Sequence, residues 1–289
     1  MKYNNQDTRY NNPGRAGQII TNHQIQITKQ EMVSRFGYWL LKFGICLVFV
    51  SWLLGFCASA NAQKLTGTDI IEQVDKNLTF GTAYFEAKML IYVGDEIREK
   101  RMIMYAEGSE NGFAEFTYPA RDKGVKYLRL GDQMWMYLPS VEKVIKIAGH
   151  MLRQSMMGSD YSYEDALESR KLLEKYDAHF KGEEVLKGRP SYVVGLVAKV
   201  KDVTYYKRML WVDKKTFIPL KEELYAKSGK LLKVSETEQI DSFGKRYYPT
   251  KSVLRNLLRK DSRTEFIITK AQFDVSIPEG TFTQRNLLK

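Results

Sequence analysis

The stretch YFEAKMLIYV, residues 84–93, indicates the fold class because its side chains alternate with a period of two. One set comprises Phe85, Ala87, Met89, Ile91 and Val93, and the other comprises Tyr84, Glu86, Lys88, Leu90 and Tyr92. Successive side chains of a β-strand point to opposite faces of its sheet. The pattern therefore predicts a half-buried strand.

Similar runs continue along the chain to residue 275, and short turns separate several of them. We predict such turns at Gly94-Asp95, Gly108-Ser109, Asn111-Gly112 and Gly131-Asp132. Connections this short join antiparallel neighbours, since parallel strands need long crossovers. The sequence therefore predicts a mainly β (α+β) fold in which residues 63–289 form one antiparallel domain.

Two segments depart from the strand pattern. In LTGTDIIEQVDKNL, residues 65–78, apolar side chains recur at helical spacing, so we predict a short helix capped by Thr68 that packs on a larger element. Residues 159–173 interrupt the strands and predict a helical or irregular lobe. We interpret Asp160, Glu164 and Asp165 in this lobe as a solvated acidic edge at a helix start.

The amino-terminal region has the pattern of an export signal. Arg35 and Lys42 precede an apolar run, and Ala60 and Ala62 bracket an A-x-A cleavage site. We therefore predict that residues 1–62 are an N-terminal extension and signal peptide, and that the mature chain begins at Gln63. The true start is either Met1 or Met32.

Two alternatives to cleavage remain open. Residues 43–63 carry no charge over 21 positions, which is long enough for a retained membrane helix. Cys57 alternatively accepts a lipid, although Phe56 is bulky where a lipidation signal prefers a small residue.

Composition narrows the chemistry of the mature chain. Both cysteines, Cys46 and Cys57, lie in the predicted signal, so cleavage leaves neither a disulfide nor a thiolate nucleophile. Residues 63–289 hold 39 Lys and Arg against 32 Asp and Glu, and this excess favours anionic partners. Export argues against nucleic acid as the anionic partner, which leaves lipid headgroups. The candidate residues to contact headgroups are Arg98, Lys100, Arg101, Lys143 and Lys146.

Motifs for enzyme chemistry are absent from the sequence. It contains no G-x-S-x-G, H-E-x-x-H, Walker or G-x-G-x-x-G motif. His150 lies near Asp160 in sequence, and a hydrolytic site there is the weakest of our hypotheses. We expect no enzyme activity, no metal and no cofactor.

Methionine is concentrated in one region instead. Five of the 11 methionines fall between residues 134 and 157: Met134, Met136, Met151, Met156 and Met157. Methionine is flexible and polarizable, which suits surfaces that accept apolar partners of varied shape. We therefore interpret the glycine-flanked segment around residues 149–158 as the lid of an apolar pocket, although ordinary core packing explains Met134 and Met136 equally well.

The stretch YLRLGDQMWMYLPSVEKVIKIAGHMLRQSMMGSDYSYED, residues 127–165, resembles the outer-membrane lipoprotein-sorting protein family of the LolA-like (LolA/LolB) superfamily. The A-x-A signal and the terminal IPEGTFT, residues 277–283, strengthen the resemblance, which covers the whole mature chain. It implies an open antiparallel half-barrel with helices covering its concave face, where acyl chains are held. The residues that match the family within this stretch are Trp135, Tyr137, Leu138 and Pro139, then Gly158, Ser159 and Asp160. The match does not assign their roles.

These observations predict a periplasmic carrier that binds acyl chains of lipids or lipoproteins and shuttles them between the inner and outer membrane. The alternative is a partner subunit of an RND-type transporter that carries nothing. The resemblance implies an RND-type inner-membrane transporter and an outer-membrane acceptor as partners, with transient contact at the membrane surface. Gly149 and Gly158 are the predicted lid hinges, and the predicted cavity and lid residues are Met89, Ile91, Met134, Trp135, Met136, Tyr137, Leu138, Met151, Met156 and Met157.

Overall fold

The computed structural model describes residues 65–168, 172–201 and 203–289. These residues form one sheet of 13 strands in the order β6-β5-β4-β3-β2-β1-β13-β12-β11-β10-β9-β8-β7, and every neighbouring pair is antiparallel. The sheet is open, with β6 at one edge and β7 at the other. The prediction of a mainly β, open antiparallel fold is confirmed.

The strands of the first half are β1 (Thr82–Val93), β2 (Glu96–Glu107), β3 (Asn111–Tyr118), β4 (Lys126–Leu130), β5 (Gln133–Leu138) and β6 (Lys143–Ile147). Those of the second half are β7 (Tyr176–Leu186), β8 (Arg189–Ala198), β9 (Lys207–Asp213), β10 (Pro219–Tyr225), β11 (Leu231–Phe243), β12 (Arg246–Asn256) and β13 (Ser262–Phe273). The helices are α1 (Gly67–Leu78), α2 (Tyr163–Glu168), α3 (Leu172–Lys175) and α4 (Gln284–Leu287), and three short 3₁₀ turns cover Ala120–Asp122, Gly149–Arg153 and Met156–Gly158.

The strand order explains the position of the methionine-rich region. The first strand, β1, lies at the centre of the sheet; the following strands continue to the β6 edge, and the order resumes at the opposite β7 edge before β13 returns to pair with β1. Residues 148–168, which we call the crossing segment, follow β6 and therefore must run across the sheet to reach β7. The crossing segment therefore covers part of one face of the sheet.

Register identifies that face. Residues directly opposite one another on antiparallel strands point to the same side. One such row runs from Ile91 through Thr264, Leu254, Ser235, Glu222 and Leu210 to Val194. We call this the inner face, because buried groups on both sides of the sheet centre contact α1 or the crossing segment there.

The inner face carries two apolar cores. Met89, Ile91, Phe116 and Tyr127 belong to the core under the crossing segment. The second core lies under α1, where Ile70 joins side chains of β8 and β9. Phe85, Ala87, Met89 and Ile91 are all buried, which confirms the alternation in residues 84–93.

Helix α1 begins two residues earlier than its predicted cap implies. Thr66, and not Thr68, is the N-cap: its hydroxyl accepts a hydrogen bond from the Asp69 N–H, while the Asp69 carboxylate accepts one from the Thr66 N–H at 2.8 Å. This reciprocal pairing satisfies two donors that a helix start leaves free. Gly67 then lies directly on β7, where a Cβ atom would come within 2.8 Å of the backbone nitrogens of His179 and Phe180.

Three of the four predicted turns are confirmed, and Gly94, Gly108 and Gly131 each adopt positive φ there. Asn111-Gly112 instead begins β3, because the hairpin turn lies just before it. None of the described helices is long and apolar enough to cross a membrane. The predicted signal, its cleavage site at Ala60 and Ala62, and the alternative anchor lie outside the described residues.

Candidate functional site

A cavity of about 350 Å³ lies on the inner face, beneath the crossing segment. Strands β1 to β5, β12 and β13 form its floor, and the crossing segment supplies part of its wall. The lining is mostly apolar. Its apolar and aromatic members include Phe85, Met89, Met102, Met104, Ala114, Phe116, Tyr127, Met134, Met156, Tyr161, Ala166, Tyr248, Phe266 and Ile268.

Cross-strand pairing concentrates flexible side chains in the cavity floor. Met104 lies opposite Phe85, and Met102 lies opposite Ala87 on the same strand pair. Because both pairs point to the inner face, β2 presents two methionines to the cavity, and Met89 of β1 adds a third. Such side chains can adjust to apolar ligands of different shape.

The crossing segment covers this floor with its own apolar side chains. Met156 lines the cavity, whereas Met151 and Met157 pack against the buried core beside it. All three are partly buried. Met157 has φ 53°, an uncommon value for a residue other than glycine, so this turn is held in place by its surroundings.

Asp160 attaches the crossing segment to the centre of the sheet. Its carboxylate accepts hydrogen bonds from the Ser262 hydroxyl at 2.6 Å and from the Thr264 hydroxyl at 2.7 Å. The Asp160 N–H in turn donates to the Thr264 hydroxyl oxygen at 2.9 Å. Asp160 is 1% exposed and Thr264 is fully buried, so the connection is shielded from water.

The β12–β13 loop holds the adjoining residues. The Arg259 guanidinium donates to the backbone carbonyls of Gly158 at 3.2 Å and Ser159 at 2.6 Å. Hydrogen bonds from charged donors are stronger than those between neutral groups. Arg259 and Asp160 therefore fix three consecutive residues of the crossing segment against β12 and β13.

Polar groups around the cavity also have partners. The Arg129 guanidinium donates to the Ala166 carbonyl at 3.1 Å, which connects β4 to α2. The Asp165 carboxylate accepts from the Tyr205 hydroxyl at 2.6 Å and pairs with the Lys233 ammonium at 2.5 Å. These interactions satisfy charges that would otherwise be costly beside an apolar cavity.

Buried tyrosines reinforce the neutral character of the site. Removal from solvent, together with the neighbouring carboxylates Asp165 and Asp160, raises the pKa of Tyr161 to about 12, although a hydrogen bond with Ser252 opposes the increase. Burial likewise raises the pKa of Tyr127 and Tyr205. All three phenols are therefore neutral at physiological pH.

The structure brings most of the sequence-predicted cavity residues to one place. Met89, Met134 and Met156 line the cavity. The adjoining core contains Ile91, Met136, Leu138, Met151 and Met157.

Trp135 and Tyr137 lie on the opposite, outer face of the sheet, and there they pack with Phe113, Leu128 and Leu287. The prediction that these two aromatics line the cavity is therefore corrected. Alternation along β5 explains the result, because Met134 and Met136, on either side of Trp135, belong to the inner-face core.

The predicted hinges lie at the ends of the two 3₁₀ turns. Gly149 has φ 56° and Gly158 has φ 79°, and a side chain at either position would be strained. A hinge role stays a prediction, since the backbone conformation alone reveals no motion.

Three sequence interpretations of charged residues change. Asp160 is not part of a solvated edge, and Asp165 is also mostly enclosed, with its side chain 10% exposed. Lys100 is buried in an ion pair with Asp122, which removes it from the residues offered to headgroups. Both carboxylate oxygens of Asp160 accept hydrogen bonds from hydroxyls of β13, so nothing supports its pairing with His150 in a hydrolytic site.

Among the described residues, no cluster of His, Cys, Asp and Glu could hold a metal ion.

Several lining residues were missed by the sequence analysis. Phe85, Met102, Met104, Tyr248, Phe266 and Ile268 come from strands distant in sequence. Alternation in β1 and β2 was the available signal for the first three. The pairings of β1 with β13 and of β13 with β12 were needed to bring the others to the same face.

Comparison with known proteins adds independent information. A family model described as an uncharacterized protein matches residues 108–289. A DUF1329 family protein from Desulfovibrio piger has a similar structure, with 26% identity, a TM-score of 0.71, and coverage of 76% of this chain and 97% of that chain.

Two further solved structures share the fold. One is an outer membrane lipoprotein-sorting protein domain from Vibrio parahaemolyticus, with 23% identity, a TM-score of 0.71, and coverage of 77% of this chain and 98% of that chain. The other is a LolA superfamily protein from Nitrosomonas europaea, with 24% identity, a TM-score of 0.65, and coverage of 77% and 99%. No curated protein is significantly similar to this chain.

Proposed function

This chain belongs to the family of uncharacterized proteins whose model matches residues 108–289 and has a LolA-like fold, and we propose that it is a periplasmic carrier of acylated cargo. In this proposal the inner-face cavity binds acyl chains of a lipid or lipoprotein and moves them between the inner and outer membrane. The protein is a binding protein in this proposal and performs no chemistry on its cargo.

The apolar cavity is the observation that carries this proposal. Its volume of about 350 Å³ falls within the range of small-molecule sites. Water occupies ~30 Å³ per molecule in the liquid, so the cavity has room for roughly a dozen groups of that size. That capacity suits one acyl chain, or part of one, and a second chain would require the crossing segment to move outward.

The energetics suit reversible carriage. Burying each methylene of an acyl chain is worth about 0.8 kcal/mol, so a single chain provides useful but reversible affinity. Release then requires either a better acceptor or separation of the crossing segment from the sheet. The hydrogen bonds that hold the segment are donated by Thr264 to Asp160, by Arg129 to Ala166 and by Arg259 to Ser159. They are polar, and water can replace them once the segment lifts.

The partners in this proposal are an RND-type inner-membrane transporter as donor and an outer-membrane acceptor. The family resemblance supports these two partners, whereas the cavity does not identify either of them. In the competing hypothesis the protein is a transporter subunit that carries nothing. The two hypotheses differ in whether the cavity holds lipid.

Native mass spectrometry with lipid extraction tests the proposal. The full chain would be expressed in a Gram-negative host, and soluble protein would be recovered from the periplasm without detergent. We expect a bound phospholipid or acylated peptide and saturable binding of an apolar fluorescent probe. An empty protein that also fails to bind the probe would favour the transporter-subunit hypothesis.

A matched pair of variants locates the binding. Ala114 lines the cavity from β3, so Ala114→Trp should fill space that the cargo occupies. Ala120 is exposed in the β3–β4 connection, so Ala120→Trp adds the same side chain outside the cavity. We expect Ala114→Trp to reduce bound lipid at least about tenfold while Ala120→Trp retains it, since displacing two buried methylenes already costs that much. Equal lipid content in both variants would place the cargo elsewhere.

A further inference from the structure

We propose that one end of the sheet is a docking surface for an anionic phospholipid bilayer. The surface consists of the described residues of three connections, 199–201 with 203–206, 226–230 and 257–261, and we call it the basic rim. This inference extends the proposed carrier function, because cargo exchange requires approach to a membrane, but it rests on surface residues outside the cavity.

Antiparallel topology brings these connections together. They join β8 to β9, β10 to β11 and β12 to β13, and those six strands are consecutive in the sheet. Every second connection of an antiparallel meander lies at the same end. Contacts support the proximity: the Lys227 ammonium lies 5.9 Å from the centre of the Tyr206 ring, and the Leu257 N–H donates at 2.8 Å to the carbonyl of Leu232, which closely follows the β10–β11 connection.

Exposed apolar side chains collect at this end. Leu258 is 59% exposed, Leu257 is 50% exposed and Val200 is 41% exposed, and Tyr206 lies in the same rim. Ile97, which is 60% exposed, follows the adjoining β1–β2 turn. Single exposed apolar residues are common on proteins, but several along one end form a surface that can enter a bilayer interface together.

Basic residues are interspersed with these apolar side chains. The three connections contain six Lys and Arg against two Asp. Val200 lies between Lys199 and Lys201, and Leu257-Leu258 is followed by Arg259-Lys260. Lys199, Lys201, Lys227, Lys230 and Lys260 are exposed.

This combination suits an anionic bilayer better than a free anion or an apolar groove. Leucine and valine side chains insert at the boundary between headgroups and acyl chains, while lysine ammonium groups remain among the phosphates. Each Lys or Arg near an anionic surface adds about 1 kcal/mol, so five exposed lysines supply substantial but salt-sensitive attraction. Both contributions act in the same plane.

The rim also adjoins the cavity cover. Arg259, in the same loop as Leu257 and Leu258, donates to carbonyls of the crossing segment. Variants that test docking must therefore leave Arg259 unchanged, so that a loss of membrane binding is not a consequence of a displaced cover.

Vesicle co-sedimentation of the periplasmic protein tests the proposal. The two vesicle types are phosphatidylethanolamine with phosphatidylglycerol, which are anionic, and phosphatidylcholine alone, which are neutral. We expect binding to the anionic vesicles that weakens as salt concentration rises. Binding should fall about tenfold or more in Lys199→Gln/Lys201→Gln, from two lost charges, and by a similar factor in Leu257→Ser/Leu258→Ser, from lost apolar insertion.

Matched controls come from the opposite end of the sheet. Val185 is 72% exposed there, so Val185→Ser removes an apolar group that is more accessible than either rim leucine. Lys215 and Lys245 are exposed in the β9–β10 and β11–β12 connections, so Lys215→Gln/Lys245→Gln removes two charges without touching the rim. Neither control should alter vesicle binding.

The outcomes separate docking from carriage. Loss of binding confined to the rim variants, with bound lipid unchanged, supports the docking surface. Equal losses in rim and control variants, or a wild-type protein that ignores anionic vesicles while still carrying lipid, would overturn it and leave the carrier intact. If the rim is needed for vesicle binding but the protein never contains lipid, the docking surface is supported and the carrier proposal is contradicted.

Discussion

Replacing Asp160 by alanine removes the carboxylate that joins the crossing segment to β13. The change leaves the hydroxyls of Ser262 and Thr264 without the acceptor they use in the folded protein. Thr264 is fully buried, so water cannot readily take the place of the carboxylate unless the segment lifts. We therefore expect the loss to appear first as local opening of the cavity cover.

The size of the effect follows from the bonds that disappear. A hydrogen bond to a charged group contributes about 1.5–3 kcal/mol, and Asp160 receives two short ones from hydroxyls. We expect Asp160→Ala to lower the free energy of unfolding by about 3–5 kcal/mol. Total stabilities are commonly about 5–15 kcal/mol, so this variant approaches the limit of a folded protein.

A graded series keeps the test informative if Asp160→Ala does not fold. Ser262→Ala removes one hydroxyl donor and should cost about 1.5 kcal/mol, and Asp160→Asn should cost an intermediate amount because its amide retains an oxygen acceptor. Asp132→Ala in the exposed β4–β5 turn is the matched control and should change stability by less than about 0.5 kcal/mol.

Urea unfolding gives the free-energy changes, and hydrogen exchange gives their location. The Asp160 N–H donates to the Thr264 hydroxyl, so it should exchange faster in each variant of Asp160 or Ser262, whereas amides at the centre of β1 should not. Rapid exchange in the segment should accompany faster loss of an apolar probe. A cost below about 1 kcal/mol for Asp160→Ala, with unchanged exchange at residue 160, would refute the reasoning.

Three other predictions follow from packing. Gly67→Ala should destabilise the protein by about 1–3 kcal/mol in thermal or urea unfolding, because its new methyl group would overlap the β7 backbone. Met156→Ser should lower apolar-probe affinity about tenfold in a fluorescence titration, whereas Met151→Ser should mainly lower stability, because only the former lines the cavity. Trp135→Ala should cost about 2–4 kcal/mol in unfolding and leave probe affinity unchanged, because it packs on the outer face.

Each of these three predictions would be contradicted by a specific result. Gly81→Ala is a control for Gly67→Ala, since its nearest neighbour beyond the adjacent residues is a flexible carboxylate at 3.5 Å; equal losses would deny the close approach of α1 to β7. Equal affinity losses in Met156→Ser and Met151→Ser would remove the distinction between cavity wall and core. A large drop in probe affinity for Trp135→Ala would indicate that Trp135 takes part in binding after all.

Much of the fold was predictable because local patterns specify it. Alternation in residues 84–93 gave β1 its buried face, and glycine-containing turns such as Gly94-Asp95 implied antiparallel neighbours. Helical spacing in residues 65–78 located α1, although it misplaced the cap by two residues. These features depend on residues close together in the chain, and their periodicity can be read directly.

The candidate site was only partly predictable. Met134 and Met156 were identified by the unusual density of methionine, and both line the cavity. Trp135 and Tyr137 were assigned to the wrong face, because both faces of β5 carry apolar side chains and alternation cannot tell which one is covered by the crossing segment. The burial of Asp160 was missed for a similar reason, since its hydroxyl partners lie about a hundred residues further along the chain.

The sequence by itself determined where the chain alternates, where it turns and where methionine gathers, because each of these properties is local. Only the tertiary structure decided that β6 and β7 lie at opposite edges, that residues 148–168 must cross between them, and that Asp160 reaches Thr264. Pairing of β1 with β13 joins segments almost two hundred positions apart. The cavity arises from that long-range pairing, because its floor is shared by strands whose individual sequences specify a face but not a neighbour.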